Sequence, residues 1–374
     1  MFSIERRVRR IWVEAKPTMM SYTLEQEQTT KQILSRYPNN VDEMARQALG
    51  KKHWLVLATG SSINAAQSAR YYIEKMTGAI LDIREPFHFT NYDQLSDHID
   101  YIAGVSQSGQ STSTIGALER IKKESGLPIA ALSSDVHSAM SEVADLMVDV
   151  GCGKERVGYV TKGFTATTLT LMLAGLRIAD LSGKLSSDEV AEQINQFNLA
   201  CSSINSIIAK TESFYEQFKD ELLTAPKFTV IACGPAVGTI NEFETKFIET
   251  VRVPSRGVEL EAFMHGPYLE VNQEHRIFFV ETDSKVRDRL IRLKQYESKI
   301  TPYTYGIVLE ASSDPRTIGL ELSISEWIAP LVLIVPFQVL AYHIAEGRGN
   351  NLSQRIYTDF GVAMSSKTAP GDYV

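Results

Sequence analysis

Short apolar runs alternate with longer amphipathic segments along most of the 374-residue chain. Each run has the length of a buried parallel strand, and the segments between the runs have helical spacing. Alternating strands and helices predict a parallel sheet that is covered by helices on both faces. We predict strands at residues 54–58, 79–83, 101–105, 128–133, 146–150, 228–232, 275–281 and 305–309.

The stretches between and around these runs predict helices. Residues 22–49 have helical spacing with a break near Pro38, which indicates two helices. Residues 162–181 predict one long buried helix, and residues 186–222 predict further helix with alternating charges. Residues 329–346 predict a strand followed by a helix.

The strand–turn–helix pattern near residue 60 recurs near residue 234, which indicates a duplicated α/β unit. The predicted fold class is α/β, with two tandem three-layer αβα subdomains, each built on a mostly parallel, doubly wound sheet. The predicted parts are an N-terminal helical segment (1–45), a first α/β domain (46–190), a helical connector (191–225) and a second α/β domain with a C-terminal tail (226–374).

The turn after the predicted strand 101–105 is rich in hydroxyl groups. Free N–H groups at a helix N-terminus attract anions, and hydroxyl groups can donate to phosphate oxygens. Without a lysine or the spaced glycines of a dinucleotide-binding loop, this turn favours a small monophosphate. The alternative is an ordinary serine-capped helix start. The turn consists of Ser106, Gln107, Ser108, Gly109, Gln110 and Ser111.

A second turn of this kind follows the predicted strand 54–58. It contains Gly60, Ser61 and Ser62 and leads directly into a helix. Ligands of parallel α/β sheets bind beyond the carboxyl ends of the strands, where both turns are predicted to lie.

Titratable residues come close together in the second half. Glu242, Lys246 and Glu249 are spaced i, i+4 and i+7 on one predicted helix and therefore share a face. Such charges usually form a solvated stripe, but this helix starts at a predicted ligand-binding edge and is otherwise apolar. His265 follows in a Gly-Pro turn, where a histidine near a carboxylate suits general acid–base chemistry.

Charge and composition narrow the classes of partner. The formal net charge of -7 argues against nucleic acids and anionic membranes, which both need a basic face. The apolar stretch at 330–345 is too short and too interrupted to span a bilayer. The three dispersed cysteines lack metal-ligand spacing and favour a reducing compartment. An N-terminal segment with four arginines but no apolar run is not a secretion signal, so we expect a cytoplasmic protein.

Five segments in order resemble the sugar-isomerase (SIS) family. Within that family they are most similar to the isomerase half of glucosamine-6-phosphate synthase and to the fructosamine-6-phosphate deglycases. One such segment would be weak evidence, but five in the same order are specific. The segments are 59–62, 105–109 with Ser111 and Thr114, 161–165, the Glu242/Lys246/Glu249 stripe, and 261–267. The resemblance implies that both α/β domains are SIS domains, the first of which binds phosphate.

The resemblance also implies a sugar 6-phosphate substrate and no cofactor or metal. The residues implied to bind its phosphate are Ser62, Ser106, Gln107, Ser108 and Ser111. Further implied substrate contacts are Gly60, Ser61 and Thr161.

The implied catalytic residues are Glu249, His265, Glu242 and Lys246. Glu249 matches the base that moves a proton between C1 and C2, and His265 matches the residue that opens the sugar ring. Glu242 and Lys246 match an acidic and a basic residue near the sugar. Since the family histidine can come from a neighbouring subunit, we expect a homodimer or higher homo-oligomer with shared active sites.

The chain departs from the family pattern in two places. It contains no domain with a leading cysteine that would hydrolyse glutamine, so we expect that it does not run glutamine-dependent amination by itself. Gln354 stands where the family has the lysine that forms a Schiff base, and the neighbouring Arg355 cannot form an imine at ordinary pH. The end of the chain, 367–374, resembles the tail that closes over the site.

These observations predict an enzyme that acts on an aminated ketose 6-phosphate, as a fructosamine-6-phosphate deglycase or a glucosamine-6-phosphate deaminase-isomerase. The alternatives are a plain aldose–ketose isomerase and a non-catalytic sugar-phosphate-binding regulator. Retention of Glu249 and His265 favours catalysis, because a regulator needs only the phosphate-binding turns. The identity of the amine, the direction of the reaction and the existence of a separate glutaminase partner stay open.

Overall fold

Two five-stranded parallel sheets form the framework of the protein. The computed structural model describes residues 16–369, so the four N-terminal arginines and the last five residues of the predicted tail lie outside the described residues.

The first sheet and its helices occupy the first half of the chain. In chain order the elements are α1 (Met19–Ser35), α2 (Asp42–Ala48), β1 (His53–Ala58), α3 (Ser61–Thr77), β2 (Ile80–Arg84), α4 (Pro86–Tyr92), β3 (Tyr101–Val105), α5 (Thr112–Ser125), β4 (Ile129–Ser133), β5 (Leu146–Asp149) and α6 (Lys162–Leu181). The sheet order is β2-β1-β3-β4-β5.

Two helices connect to the second sheet, which repeats the same arrangement. The elements are α7 (Ser187–Ser202), α8 (Ile204–Leu223), β6 (Phe228–Ala232), α9 (Val237–Thr250), β7 (Ser255–Glu259), α10 (Leu260–Phe263), β8 (Arg276–Glu281), α11 (Arg287–Glu297), β9 (Thr304–Val308), β10 (Thr317–Gly319), α12 (Pro330–Leu333), α13 (Val335–Gly347) and α14 (Phe360–Ala363). The sheet order is β10-β9-β8-β6-β7, so β6 takes the place that β1 has in the first sheet.

Strand β1 shows how both faces of a sheet are buried. Successive side chains of a strand point to opposite faces. Trp54 and Val56 therefore join the larger hydrophobic core, which contains α3 and α6, whereas Leu55 and Leu57 join a second core with α4 and α5. Burial on both faces explains why the strands are continuous apolar runs, and it confirms the predicted α/β fold with two helix-covered parallel sheets.

The prediction for residues 329–346 is wrong in its first part. These residues form α12 and α13 and contain no strand. Pro330 and Pro336 lie in the first turns of these helices, where a missing N–H costs nothing. The stretch is apolar because it is buried on nearly all sides, and a fully buried helix has the same continuous apolar pattern as a buried strand.

The predicted helices elsewhere are confirmed. The break near Pro38 separates α1 from α2, and residues 162–181 form the single buried helix α6. Helix α6 and the stretch Pro330–Gly347 are long and apolar enough to cross a membrane, so the expectation that 330–345 is too short and too interrupted is wrong. Most of each helix is nevertheless buried inside the protein. The cytoplasmic location stays a prediction.

Candidate active site

The two serine-rich turns meet beside β1, the strand at which the order of the first sheet reverses. Strand β1 lies between β2 and β3, so the turns after β1 and β3 flank a crevice at the carboxyl edge. The backbone N–H of Gln107 donates to Ser62 Oγ across this crevice at 3.2 Å. The prediction that both turns share one edge is therefore confirmed.

Residues 106–111, called the serine loop below, have a fixed shape. Gly109 has φ +64°, and a Cβ there would lie 1.9 Å from Ser138 Oγ, so only glycine fits. Ser111 precedes α5 but makes no side-chain capping bond to that helix. Its hydroxyl instead lies 3.2 Å from Ser113 Oγ and accepts from Thr114 Oγ1 at 3.1 Å. The ordinary serine cap is therefore not what this residue forms.

Gln107 is held by neighbours outside the loop. Its side-chain amide donates to Ser134 Oγ at 3.2 Å and lies 3.8 Å from the sulfur of Cys152. The main-chain carbonyl of Gln107 accepts a hydrogen bond from the hydroxyl of Ser134 at 2.7 Å. The side chain therefore positions the loop on the sheet, and its phosphate contact stays a prediction.

The charged stripe on α9 reaches the turn after β1. Glu242 accepts from Ser61 Oγ and from Asn64 Nδ2, both at 2.9 Å. Lys246 Nζ lies 3.6 Å from Glu242 Oε1 and donates to Glu249 Oε2 at 2.6 Å. These contacts form a continuous chain from the first sheet to Glu249.

The three residues of the stripe differ in how deeply they are buried. The side chains of Glu242 and Lys246 are fully buried, whereas that of Glu249 is 38% exposed. Burial raises the pKa of Glu242 to about 7, against the opposing effect of the Lys246 charge. Burial alone would lower the pKa of Lys246, but the carboxylates of Glu249 and Glu242 outweigh it and raise that pKa. The solvated stripe is thus ruled out for Glu242 and Lys246, and Glu249 is the member open to a ligand.

His265 contacts a carboxylate outside the stripe. Its side chain is 72% exposed, and its Nε2 lies 3.1 Å from Glu261 Oε1. Glu261 in turn pairs with Arg289 at 2.7 Å. The hydrogen bonds and ion pairs recorded for residues 16–369 do not join His265 to Glu249. The structure therefore orients the imidazole through a carboxylate, but does not bring it into the stripe of the same chain.

Thr161 is held by a buried carboxylate that the sequence analysis did not single out. Glu155 accepts from the backbone N–H and the hydroxyl of Thr161 at 3.0 and 2.9 Å, and from the N–H of Gly163 at 2.7 Å. A Cβ at Gly163 would lie 2.8 Å from Gln107 Cγ, so this helix start packs against the serine loop. In the sequence, Glu155 could have been recognised as a charged residue in the polar stretch just before a buried helix.

The C-terminal segment 365–368 lies along the serine loop. Ser111 and Lys367 form an antiparallel bridge, and the N–H of Thr368 donates to the carbonyl of Gln110 at 3.1 Å. The ammonium of Lys367 lies 3.4 Å from Ser108 Oγ. The part of the predicted tail that the structure describes therefore contacts the site.

Comparison with known proteins agrees with this architecture. Residues 49–177 match the model of the SIS domain. A glutamine–fructose-6-phosphate aminotransferase (isomerizing) of Gloeobacter violaceus is 24% identical over 303 residues, which cover 80% of this chain and 50% of that protein. The chain spans about half the length of the curated relatives it matches.

Solved structures share the whole fold. A protein of Clostridium difficile 630, provisionally described as a phosphosugar isomerase, superposes with a TM-score of 0.84 at 26% identity, covering 94% of this chain and 99% of that one. The C-terminal domain of glucosamine-fructose-6-phosphate aminotransferase from Francisella tularensis superposes with a TM-score of 0.80 at 20% identity, covering 90% and 98%. Residues 49–177 therefore match the SIS domain, most of the chain is similar in sequence to about half of glutamine–fructose-6-phosphate aminotransferases, and its fold is similar to that of proteins described as phosphosugar isomerases.

Proposed function

We propose that this protein is an enzyme that cleaves or rearranges an aminated ketose 6-phosphate. One observation carries the proposal: an unbroken chain of contacts runs from the serine loop through Ser62, Ser61, Glu242 and Lys246 to the exposed carboxylate of Glu249. A phosphate held at one end and a base held at the other would fix a sugar between them.

The proposed phosphate site uses donors that suit a monophosphate. Hydroxyl groups of the serine loop and two helix N-termini, those of α3 and α5, converge beside β1. Helix N-termini favour anions through their free N–H groups and the helix dipole. We propose that Ser62, Ser106, Ser108 and Ser111 bind the 6-phosphate, with Gln107 holding the loop in place and Gly60, Ser61 and Thr161 shaping the adjoining sugar site.

Glu249 is proposed as the base that moves a proton between C1 and C2. After His265 assists opening of the sugar ring, Glu249 would take the proton from C1 of the ketoamine, and return of a proton at C2 gives an imine between C1 and nitrogen. Water then adds to this imine, and the carbon–nitrogen bond breaks to give an aldose 6-phosphate and a free amine. Lys246 Nζ lies 2.6 Å from Glu249 Oε2 and would position the carboxylate of Glu249. The buried Glu242 would balance the charge of Lys246.

Glu249→Gln is expected to lower turnover between about 10²- and 10⁴-fold, because an amide cannot accept the carbon-bound proton. The assay mixes purified protein with fructoselysine 6-phosphate and follows glucose 6-phosphate through a coupled dehydrogenase. The matched control is Glu119→Gln, an exposed carboxylate on α5, which is expected to leave turnover unchanged.

Turnover by Glu249→Gln equal to that of the unaltered protein would overturn the assignment of the base. Binding of fructose 6-phosphate without turnover of any aminated ketose phosphate would point to the non-catalytic regulator. Interconversion of an aldose and a ketose phosphate, without amine release, would point to the plain isomerase.

We further propose a homodimer or higher homo-oligomer in which His265 completes the site of a neighbouring subunit. The exposure of His265, and the absence within residues 16–369 of a hydrogen bond or ion pair between it and the stripe, support this arrangement. Co-expression of Glu249→Gln with His265→Ala, carrying different tags, is expected to restore about a quarter of the activity, since half of the dimers are mixed and each has one intact site. Mixed dimers that stay inactive would show that each site uses residues of one chain.

A further inference from the structure

The serine loop offers hydroxyl groups but no charge of its own. Residues 106–112 contain no lysine or arginine. A sugar phosphate carries up to two negative charges near neutral pH, and charge-assisted hydrogen bonds are about twice as strong as neutral ones. A loop of neutral donors would therefore gain from a cation placed beside it.

The C-terminal segment brings such a cation to the loop. Lys367 Nζ lies 3.4 Å from Ser108 Oγ, at the long end of hydrogen-bonding distance. An ammonium at this position can move a few tenths of an ångström to contact an anion bound by the same hydroxyl. Its compact charge on a flexible stem is the form in which lysine usually binds phosphate.

Backbone contacts on both sides of Lys367 hold it there. The hydroxyl of Thr112 donates to the carbonyl of Ser365 at 2.8 Å, and the N–H of Thr112 donates to the carbonyl of Ser366 at 3.4 Å. On the other side, the N–H of Thr368 donates to Gln110 at 3.1 Å. The position of the ammonium therefore depends on main-chain pairing with the loop and not on the side chain alone.

The surroundings of Lys367 favour an anionic ligand. Desolvation lowers the pKa of its ammonium, although the residue as a whole keeps contact with solvent. Within residues 16–369, no carboxylate forms an ion pair with this ammonium, and a partly desolvated, unpaired cation gains more from an incoming anion than a fully hydrated one does.

We propose that Lys367 is a phosphate-binding residue, delivered by the C-terminal segment to the serine loop. This inference rests on the proposed function, because it takes the ligand of the loop to be the phosphate of the sugar substrate. It adds a cation to that site from a segment more than 250 residues away along the chain.

The test is calorimetric titration with fructose 6-phosphate at low, fixed ionic strength. Lys367→Met is expected to weaken binding about tenfold, which corresponds to ~1.4 kcal/mol. Lys367→Arg keeps the charge and is expected to stay within about threefold of the unaltered protein. The control is Lys123→Met, which removes an exposed lysine of α5 and changes the net charge equally, and it is expected to bind as the unaltered protein does.

The salt dependence of binding distinguishes two roles of Lys367: charge pairing with the ligand, and holding the C-terminal segment in place. The affinity of the unaltered protein should fall as salt rises, and Lys367→Met should show a flatter dependence because one ion pair with the ligand is gone. Affinity of Lys367→Met within twofold of the unaltered protein overturns the proposal. Equal weakening in Lys367→Met and Lys367→Arg also overturns it, since the charge would then not matter.

Failure of this inference and failure of the proposed function give different results. If the unaltered protein turns over the aminated ketose phosphate and Lys367→Met binds normally, only the role of Lys367 is wrong. If Lys367→Met shows the tenfold loss but no protein form turns over substrate, the phosphate site stands and the proposed reaction fails. If fructose 6-phosphate does not bind at all, both are wrong.

Discussion

At the scale of single residues, the buried charges on α9 are the feature that packing alone does not explain. A buried ion pair is often replaceable by apolar residues without loss of stability, whereas a single unpaired member is strongly destabilising. Lys246 contacts two carboxyl groups, the buried one of Glu242 and that of Glu249, whose side chain is 38% exposed. The arrangement places the carboxyl group of Glu249 at the surface of a crevice, in contact with a buried ammonium.

Glu155 is a second buried carboxylate, and its removal is expected to affect both stability and binding. Glu155→Gln places an amide N–H against backbone donors of Thr161 or Gly163, so at least one buried donor loses its acceptor. We expect unfolding free energy to fall by about 1–3 kcal/mol. Because Gly163 packs against Gln107, we also expect KM for the sugar phosphate to rise more than kcat falls.

Chemical denaturation and steady-state kinetics measure these two effects on the same preparations. The matched control is Glu124→Gln, which breaks the exposed pair with Arg120 and should change unfolding free energy by less than about 1 kcal/mol. An unchanged KM in Glu155→Gln would show that Glu155 supports α6 but not the serine loop.

Some site residues could be predicted from the sequence and others could not. The two groups differ in what places them at the site. Ser62, Ser106 and Ser111 lie in turns that directly follow apolar strands, so local pattern places them at the sheet edge. Lys367 contacts a residue 259 positions away in the chain. Glu155 contacts Thr161 and Gly163 nearby in sequence, but its link to the serine loop runs through the packing of Gly163 against Gln107, which no local pattern encodes. Lys367 in particular lies in a polar segment whose pairing with residues 110–112 is visible only in three dimensions.

At the scale of elements, burial on both faces made most strands predictable, but not the two edge strands of the second sheet. Central strands such as β1 and β3 are continuous apolar runs because helices cover both faces. Strand β7 (Ser255–Glu259) has a single apolar residue, Val258, and strand β10 is three residues long, so neither has the pattern of a buried strand. Both lie at the edges of the second sheet, where burial is incomplete.

The helices that follow β1 and β6 have a role beyond covering their sheets. Helix α3 starts at the turn with Ser61, and α9 presents Glu242 to that turn. Asn64 on α3 donates to Glu242 and to Thr245 Oγ1 on α9, at 2.9 and 3.1 Å. The contact between these two helices thus forms one wall of the candidate site.

At the scale of the whole molecule, the two halves share the larger hydrophobic core, and each also has a smaller core of its own. The larger hydrophobic core contains Trp54 and Val56 of the first sheet together with Val230 and Phe278 of the second. The duplicated pattern in the sequence indicated two similar units, but not that α3 and α9 pack against each other. That packing depends on which faces the two units bury, which a sequence repeat does not specify.

Gly238→Ala is expected to disturb this packing and the site together. A Cβ at residue 238 would lie 2.4 Å from the backbone nitrogen of Ser68 and 2.7 Å from the carbonyl oxygen of Asn64. Since both are backbone atoms of α3, the helices must separate, which is expected to lower the free energy of unfolding by about 1–3 kcal/mol or more. The contact of Ser61 with Glu242 lengthens with that separation, so kcat should fall as well.

Gly116→Ala is the matched control for this prediction. Gly116 lies inside α5, and a Cβ there would meet nothing within 4 Å. Alanine should therefore raise the free energy of unfolding by about 0.5–1 kcal/mol through its higher helix propensity, with turnover unchanged. Thermal unfolding and turnover are measured for both variants. If Gly238→Ala matched Gly116→Ala in both measurements, the close approach of α3 and α9 would not be what joins the serine-rich turns to Glu249.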